Sequence, residues 1–196
     1  MEAATTWLTL LLFVQTLPTG TRIGLDSTLF SITELKTLRA SLEKAQQDII
    51  LLEENLIDKI WQDRPPSSKE PLDLHAKYAG EASTSKFDKV RSIIKSKKAS
   101  AYAVHEMSEI AWLLNLRGKD IPFSPVFEAY LLVTLESASL FLDRDKVTEE
   151  VAKYLKDELN TEVQPYEGIW EALKVIQNAK QSVCALLSLP ETLPDV

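Results

Sequence analysis

The sequence predicts a layered α/β/α fold with a central mixed sheet. Residues 101–134 run as an apolar strand, a short helix, a polar turn and a second apolar strand, and segments with helical periodicity lie on either side. The chain has 196 residues, of which 45% are hydrophobic and 26% are charged. This is the composition of an ordinary globular protein with one sizeable core.

The first predicted unit, residues 1–62, is a partial α/β arrangement. Residues 22–25 read as a strand, and Ser31 with Glu34 has the spacing of a capping box at the start of an amphipathic helix. A second strand at residues 49–52 and a short helix at 56–61 complete this unit.

Residues 63–84 are expected to be a linker that separates this unit from a second one at residues 85–181. Three of the nine prolines fall between residues 63 and 74, together with two serines. Such a composition interrupts regular structure and is typical of a boundary between compact units.

The second unit opens with a helix from about residue 85, and its sheet is predicted from residues 101–104, 127–134 and 139–143. The last two strands should pair antiparallel, since only a few residues separate them. A helix around residues 110–114 connects the first strand to a polar turn.

The remaining elements follow in helix and strand order. Asp145 is placed to cap the next helix, which Asn160 should end. A strand at residues 161–164 follows, and Pro165 precedes a final helix that carries Trp170 on its apolar face.

The tryptophans are interpreted by the faces they occupy. Trp112 and Trp170 lie on apolar helix faces and are expected in the core, while Trp61 could make an interdomain contact. Burial of Trp112 predicts that its truncation to alanine would cost about 3 to 5 kcal/mol.

The amino-terminal residues 7–14 form an apolar run that resembles the core of a signal peptide. Glu2 is acidic and the first basic residue is Arg22, whereas a secretory signal begins with positive charge. The run is also too short to span a bilayer. We therefore expect no membrane association. The chain has a single cysteine, Cys184, so an intrachain disulfide is excluded. This cysteine content is compatible with a cytoplasmic location.

The residues that carry chemistry are few. The net charge of −7 gives no basic surface for nucleic acid. His75 and His105 are isolated from each other and lack the spacing of metal ligands, so we expect neither a catalytic nor a metal site. The best candidates for ligand binding are Arg117 and Asp120 in the polar turn, with an ion pair or a loop-stapling hydrogen bond as the alternative role.

Several motifs in the chain have a family resemblance. The segment SEIAWLLNLRG occupies residues 108–118, followed by DIP at 120–122 and PVF at 125–127. Further motifs are EENLID at 53–58, DRPP at 63–66, YAGE at 78–81 and LFLD at 140–143. Together they resemble the creatinase-type N-terminal domain region of the long eukaryotic form of Xaa-Pro aminopeptidase, also called aminopeptidase P, over roughly residues 7–181.

The resemblance implies a creatinase N-terminal-like fold and a noncatalytic role. In that family a pair of manganese ions, held by two Asp, one His and two Glu of a separate C-terminal domain, activates water against the bond before proline. Those ligands would lie beyond this chain, whose residues 182–196 form a divergent tail. The expected protein is therefore a middle domain truncated before the metallopeptidase domain, with no cofactor of its own.

An alternative is left open by the same resemblance. The chain could be part of an active manganese-dependent aminopeptidase whose catalytic domain lies on missing sequence, and a peptide substrate is expected only in that context. A catalytic domain or a second copy of the chain are the expected partners.

The chain departs from the family pattern in the central stretch. Ser108 stands where the family usually has Asp, while His105 and Met107 replace small or apolar residues.

Overall fold

The computed structural model describes residues 16–26, 29–52, 54–65 and 67–178. The chain divides into two compact units, residues 1–65 and residues 66–196. The apolar run at residues 7–14, Cys184 and the tail at 182–196 lie outside the described residues. No helix in the described part is long and apolar enough to cross a membrane.

The first unit packs two parallel strands on one helix. The strands are β1 (Arg22–Asp26) and β2 (Asp48–Leu52), with α1 (Ile32–Lys44) between them and the short α2 (Leu56–Ile60) after them. The capping box is confirmed, since the Glu34 amide donates to Ser31 Oγ at 3.2 Å and the Ser31 amide donates to Glu34 Oε2 at 2.8 Å. A small core gathers Leu25, Leu38 and Leu42.

Helix α2 exposes the apolar side chains that the sequence groups on one side of it. None of its residues is buried, and Ile60 is 72% exposed. Trp61, directly after the helix, is also exposed and lies under the Arg64 guanidinium, 4.7 Å from the ring centroid.

The second unit is built on a four-stranded mixed sheet in the order β4-β6-β7-β8. Its strands are β4 (Ala101–Val104), β6 (Tyr130–Thr134), β7 (Ala138–Phe141) and β8 (Thr161–Gln164). The predicted antiparallel pairing of β6 with β7 is confirmed, with Leu131 opposite Leu140. Strand β8 pairs parallel with β7, because a helix carries the chain back between them.

Helices cover both faces of this sheet. One face packs on α3 (Ser83–Ser96), α4 (Met107–Leu114) and α5 (Glu149–Leu159), and the other packs on α6 (Gly168–Asn178). Residues alternate along β6 accordingly: Leu131 and Val133 belong to the larger core, and Leu132 to the core under α6. The layered α/β/α fold predicted from the sequence is therefore present.

Part of the segment expected to be a linker belongs to the second unit. Leu72 is 2% exposed within the larger core, and β3 (Asp73–Leu74) pairs antiparallel with β5 (Leu116–Arg117). A short 3-10 turn, Ala76–Tyr78, leads into α3. The prolines at 65, 66 and 71 predict irregular backbone, but burial of Leu72, its amide hydrogen bond to the Lys146 carbonyl and the pairing of β3 hold the residues after them in the second unit.

The helix cap predicted at Asp145 is wrong. Thr148 caps α5, with its Oγ1 accepting from the Val151 amide at 3.2 Å. Asp143 caps the 3-10 turn Arg144–Lys146, which the sequence analysis did not anticipate. The predicted end of α5 at Asn160 is confirmed, because Asn160 has the left-handed conformation of a C-cap.

Two further expectations need correction. The strand predicted from residue 127 begins only at Tyr130, since the Glu128 amide bonds to the Asp120 carboxylate instead of a neighbouring strand. Trp112 and Trp170 are 44% and 47% exposed, so neither indole is enclosed in the core. Both lie at the edge of a helix face whose aliphatic residues are the ones that are buried.

Candidate functional site

The candidate site is the loop that follows α4, residues 115–128, which we call the central loop. It starts at Asn115, a buried residue whose φ of 50° and ψ of 33° end the helix in the left-handed region. Asn115 Nδ2 donates to the Glu81 carbonyl at 3.0 Å, which ties the loop to the residues before α3.

Lys86 of α3 reaches the end of α4 from within the protein. Its Nζ donates to the Trp112 carbonyl and to Asn115 Oδ1, both at 2.6 Å, and lies 4.5 Å from the centroid of the Trp112 ring. The Trp112 carbonyl also accepts from the Asn115 amide at 3.3 Å, so the ammonium is a second donor to it. A cation at this position complements the helix dipole.

The pKa of Lys86 is lowered from its ordinary value. Burial of the ammonium is the main cause, the charge of Arg117 adds to it, and the Glu81 carboxylate opposes it. The side chain is 3% exposed, and its bonds go to neutral acceptors. Burial without a bonded carboxylate explains why the charged form is disfavoured.

Arg117 is also bound to α4. Its Nη1 donates to the Ala111 carbonyl at 2.9 Å and to its neighbour, the Leu116 carbonyl, at 2.8 Å. These bonds give the guanidinium a structural function at the helix end, where a cation is favoured.

Gly118 allows two parts of the central loop to approach closely. A Cβ at this position would lie 2.6 Å from Phe127 Cβ and 2.9 Å from the Val126 carbonyl oxygen. The Gly118 amide donates to the Pro125 carbonyl at 3.3 Å, and the Asp120 amide donates to the Val126 carbonyl at 3.3 Å. The two halves of the loop are therefore packed against each other at backbone distance.

Asp120 is buried at the base of the same loop. Its Oδ2 accepts from Lys146 Nζ at 2.5 Å and from the Glu128 amide at 2.7 Å. The side chains of Asp120 and Lys146 are 4% and 2% exposed. Asp120 Oδ1 is buried as well and has no hydrogen-bond partner.

The structure gives Arg117 and Asp120 separate partners. Arg117 bonds to helix carbonyls and Asp120 bonds to Lys146 and to the loop backbone. These contacts correspond to the alternative of an ion pair and loop-stapling hydrogen bonds. Ligand binding by the two residues stays a prediction.

Two lysines that matter here were missed by the sequence analysis. Lys86 precedes Val90 by four residues and Ile94 by eight, so helical periodicity places it on the buried face of α3. That spacing could have identified it. Lys146 lies in a short 3-10 turn, where no comparable periodicity marks a buried position.

The tip of the central loop carries exposed apolar side chains. Phe123 is 109% exposed and has a φ of 64°, an uncommon conformation for an aromatic residue. The Ser124 amide donates to the Ile121 carbonyl at 3.1 Å, which closes the tip as a tight turn.

The described residues do not fit a metal ion. His75 packs at 5.6 Å from the Tyr78 ring, and His105 is exposed after β4. Within the described ranges, no group of three His, Cys, Asp or Glu side chains could hold a metal.

Comparison with known proteins places this architecture in a family. Residues 63–193 match the family model for the creatinase/prolidase N-terminal domain, and these residues include the central loop and the whole four-stranded sheet. The chain belongs to this family. The creatinase/prolidase N-terminal domain thus accounts for the second unit and extends beyond the described residues.

Relatives of this creatinase/prolidase N-terminal domain chain are named probable Xaa-Pro aminopeptidases P. A probable Xaa-Pro aminopeptidase P from Sordaria macrospora is 40% identical over 166 residues, which cover 83% of this chain and 27% of the relative. One from Paracoccidioides lutzii is 32% identical over 189 residues, covering 90% and 30%. The chain therefore spans less than a third of the length of these relatives.

A solved structure agrees with the sequence matches. X-prolyl aminopeptidase from Caenorhabditis elegans, described as a cytosolic enzyme with a di-nuclear active site, superposes with a TM-score of 0.77 at 28% identity. The match covers 89% of this chain and 29% of that enzyme. The creatinase N-terminal-like fold predicted from the sequence is thereby confirmed.

Proposed function

We propose that this chain is a noncatalytic N-terminal-domain segment of an Xaa-Pro aminopeptidase-like protein. The observation that carries the proposal is the family match over residues 63–193, in a region where the polar groups of the central loop serve its own structure. Arg117 and Lys86 bond to the end of α4, and Lys146 neutralises Asp120. Such a domain contributes by packing and orientation instead of by chemistry.

An activity of the whole protein is proposed here and is not assigned to the described residues. Relatives that share this segment carry about 70% of their length elsewhere, which favours a second candidate: a part of an active aminopeptidase. In that candidate, manganese ions bound to a separate catalytic domain would activate the water that cleaves the bond before proline. A cytoplasmic location is supported by the cytosolic Caenorhabditis elegans enzyme.

The noncatalytic role is tested with the purified 196-residue chain, manganese and a peptide with proline in second position. We expect release of the amino-terminal residue at the rate of the protein-free control, because a two-metal mechanism needs a converging set of ligands. The Caenorhabditis elegans enzyme in the same metal solution is the positive control. Metal-dependent turnover that copurifies with the chain through two different columns would refute the proposal.

The coding sequence downstream of residue 196 distinguishes the second candidate function from the first. Reading the coding sequence downstream of residue 196 should reveal two Asp, one His and two Glu in metal-binding order if the segment is part of an active enzyme. A stop codon directly after residue 196, confirmed by the mass of the protein isolated from its source, would exclude that candidate.

A further inference from the structure

Three aromatic side chains form a cluster where α6 meets the sheet. We call Tyr130, Tyr166 and Trp170 the aromatic cluster. The ring centroids of Tyr130 and Tyr166 are 5.0 Å apart, and those of Tyr130 and Trp170 are 6.0 Å apart in an edge arrangement. Trp170 is 47% exposed and the two tyrosines are half-buried. The cluster therefore combines a fixed geometry with ring surface that solvent can reach.

Three other exposed aromatic residues of the described chain carry a cation on the ring, whereas Phe123 at the tip of the central loop does not. Arg64 lies 4.7 Å from the Trp61 centroid, and Lys86 lies 4.5 Å from that of Trp112. Lys77 lies 4.8 Å from the centroid of Tyr78, whose side chain is also exposed. These contacts match the negative potential of an aromatic face.

The aromatic cluster differs from these residues. In the described part of the chain, no Lys or Arg lies over Tyr130, Tyr166 or Trp170. Lys174 follows Trp170 by one helical turn, but its Nζ lies 3.6 Å from Glu171 Oε2. The exposed indole thus has no cation from the described residues.

Negative charges lie near the cluster instead, since Glu167 directly follows Tyr166 and Glu128 precedes Tyr130 by two residues. The carboxylates of Glu128 and Glu167 help to raise the pKa of Tyr166, although burial is the main cause and the Tyr130 hydroxyl the second. Both glutamates are exposed. Glu167 precedes α6, where an acidic residue also stabilises the helix dipole, but Glu128 lies before β6 and has no such role.

We propose that the aromatic cluster, with Glu128 and Glu167, binds the guanidinium group of an arginine in a peptide segment of a partner protein. A guanidinium is planar and weakly hydrated, so it stacks on an indole or phenol ring. Its N–H groups can donate to a carboxylate beside the ring. This proposal does not depend on the proposed noncatalytic role of the chain.

The test is a titration of the full chain followed by the indole N–H signals of its tryptophans in nuclear magnetic resonance spectra. The probe is N-acetyl-arginine amide, whose only charge is the guanidinium, and the control is the neutral N-acetyl-citrulline amide. We expect a saturable shift of the Trp170 signal with the arginine probe alone. Equal shifts with both probes, or equal shifts at Trp61, Trp112 and Trp170, would overturn the proposal.

Two variants test the residues independently. Trp170→Leu removes the Trp170 indole, so binding to it is followed at the Tyr166 backbone amide signal, and it should weaken binding of the arginine probe about fivefold, the size of a cation–π contact, while Trp61→Leu leaves binding unchanged. Because Trp170→Leu could disturb α6, the double variant Glu128→Gln with Glu167→Gln retains the rings and should weaken binding about threefold. Unchanged affinity in the double variant, read at the Trp170 signal, would refute the role of the carboxylates and with it the proposed site.

Discussion

Lys146 Nζ lies 2.5 Å from Asp120 Oδ2, and both side chains are almost completely withdrawn from solvent. The pair connects the base of the central loop to the 3-10 turn before α5. The backbone amide of Glu128 donates to the same carboxylate oxygen and joins the far side of the loop to it. The Asp120 carboxylate therefore holds both sides of the central loop against the 3-10 turn, whose Lys146 lies 26 residues further along the chain.

Removal of one partner of this pair should be costly. Lys146→Met leaves the Asp120 carboxylate buried without a countercharge, and we expect a loss of about 3 to 5 kcal/mol of stability. Asp120→Asn combined with Lys146→Met should recover most of that loss, since the asparagine oxygen can still accept from the Glu128 amide. Urea titrations of both variants, with hydrogen exchange of the Glu128 amide as a local measure, check this. A double variant no more stable than Lys146→Met would contradict the pairing.

Lys86 predicts a dependence of stability on pH. The pKa of Lys86 is lower in the folded state than its ordinary value of 10.5, so the unfolded chain holds this proton more tightly. Its contribution to the unfolding free energy therefore increases as the pH rises from the lowered folded pKa towards 10.5. Below both values the penalty for burying the charge is fully present.

Lys86→Met is the variant that isolates this effect. It should cost about 1 to 3 kcal/mol near neutral pH, because the Trp112 carbonyl and Asn115 Oδ1 lose a donor. The difference in stability between the wild type and Lys86→Met should increase in alkaline buffers. Lys95→Met, on an exposed part of α3, is the matched control and should show no such change. A difference that decreases with rising pH would refute the interpretation of the Lys86 environment.

Trp112→Ala should cost less than its apolar helix face suggested. With the indole 44% exposed, we expect about 1 to 2 kcal/mol, which includes the loss of the contact between Lys86 and the ring. Trp112→Phe keeps a ring under the ammonium and should cost less than the alanine variant. Denaturant titrations measure both, and a loss above about 3 kcal/mol would show that the indole is enclosed after all.

The start of α5 offers a test of the corrected cap. Thr148→Ala should destabilise the protein by about 1 kcal/mol, because the Val151 amide loses its acceptor. Asp145→Ala should have a smaller effect, since the Asp145 carboxylate bonds to Lys69 at the surface. The two thermal midpoints, measured side by side, decide between these capping residues. A larger effect at Asp145 would restore the original prediction.

Periodicity and turn chemistry were sufficient to predict most helices and strands of both units. The apolar runs at 101–104 and 139–143 correspond to β4 and β7, and the capping box at Ser31 and the left-handed end at Asn160 are present. These features depend on residues close in sequence. Local patterns therefore contained enough information to identify them.

The central loop could be located from sequence, but its contacts could not. Lys146 follows Asp120 by 26 residues, and Lys86 precedes Asn115 by 29. Such pairs depend on how the helices pack on the sheet, which composition and spacing do not determine. The exposure of Trp112 could not be predicted for the same reason, because a helix face can be apolar while its largest side chain lies at the edge of the buried surface.

The order of strands also affects the tendency of this protein to aggregate at high concentration. Strand β8 lies at one end of the described sheet, so one row of its backbone groups faces outward, which is an opportunity for edge-to-edge aggregation. Glu162, near the middle of this four-residue strand, is exposed, and Pro165 follows the strand directly. Two copies paired antiparallel with Glu162 opposite Glu162 would bring like charges together, and Pro165 cannot donate a hydrogen bond to extend the pairing.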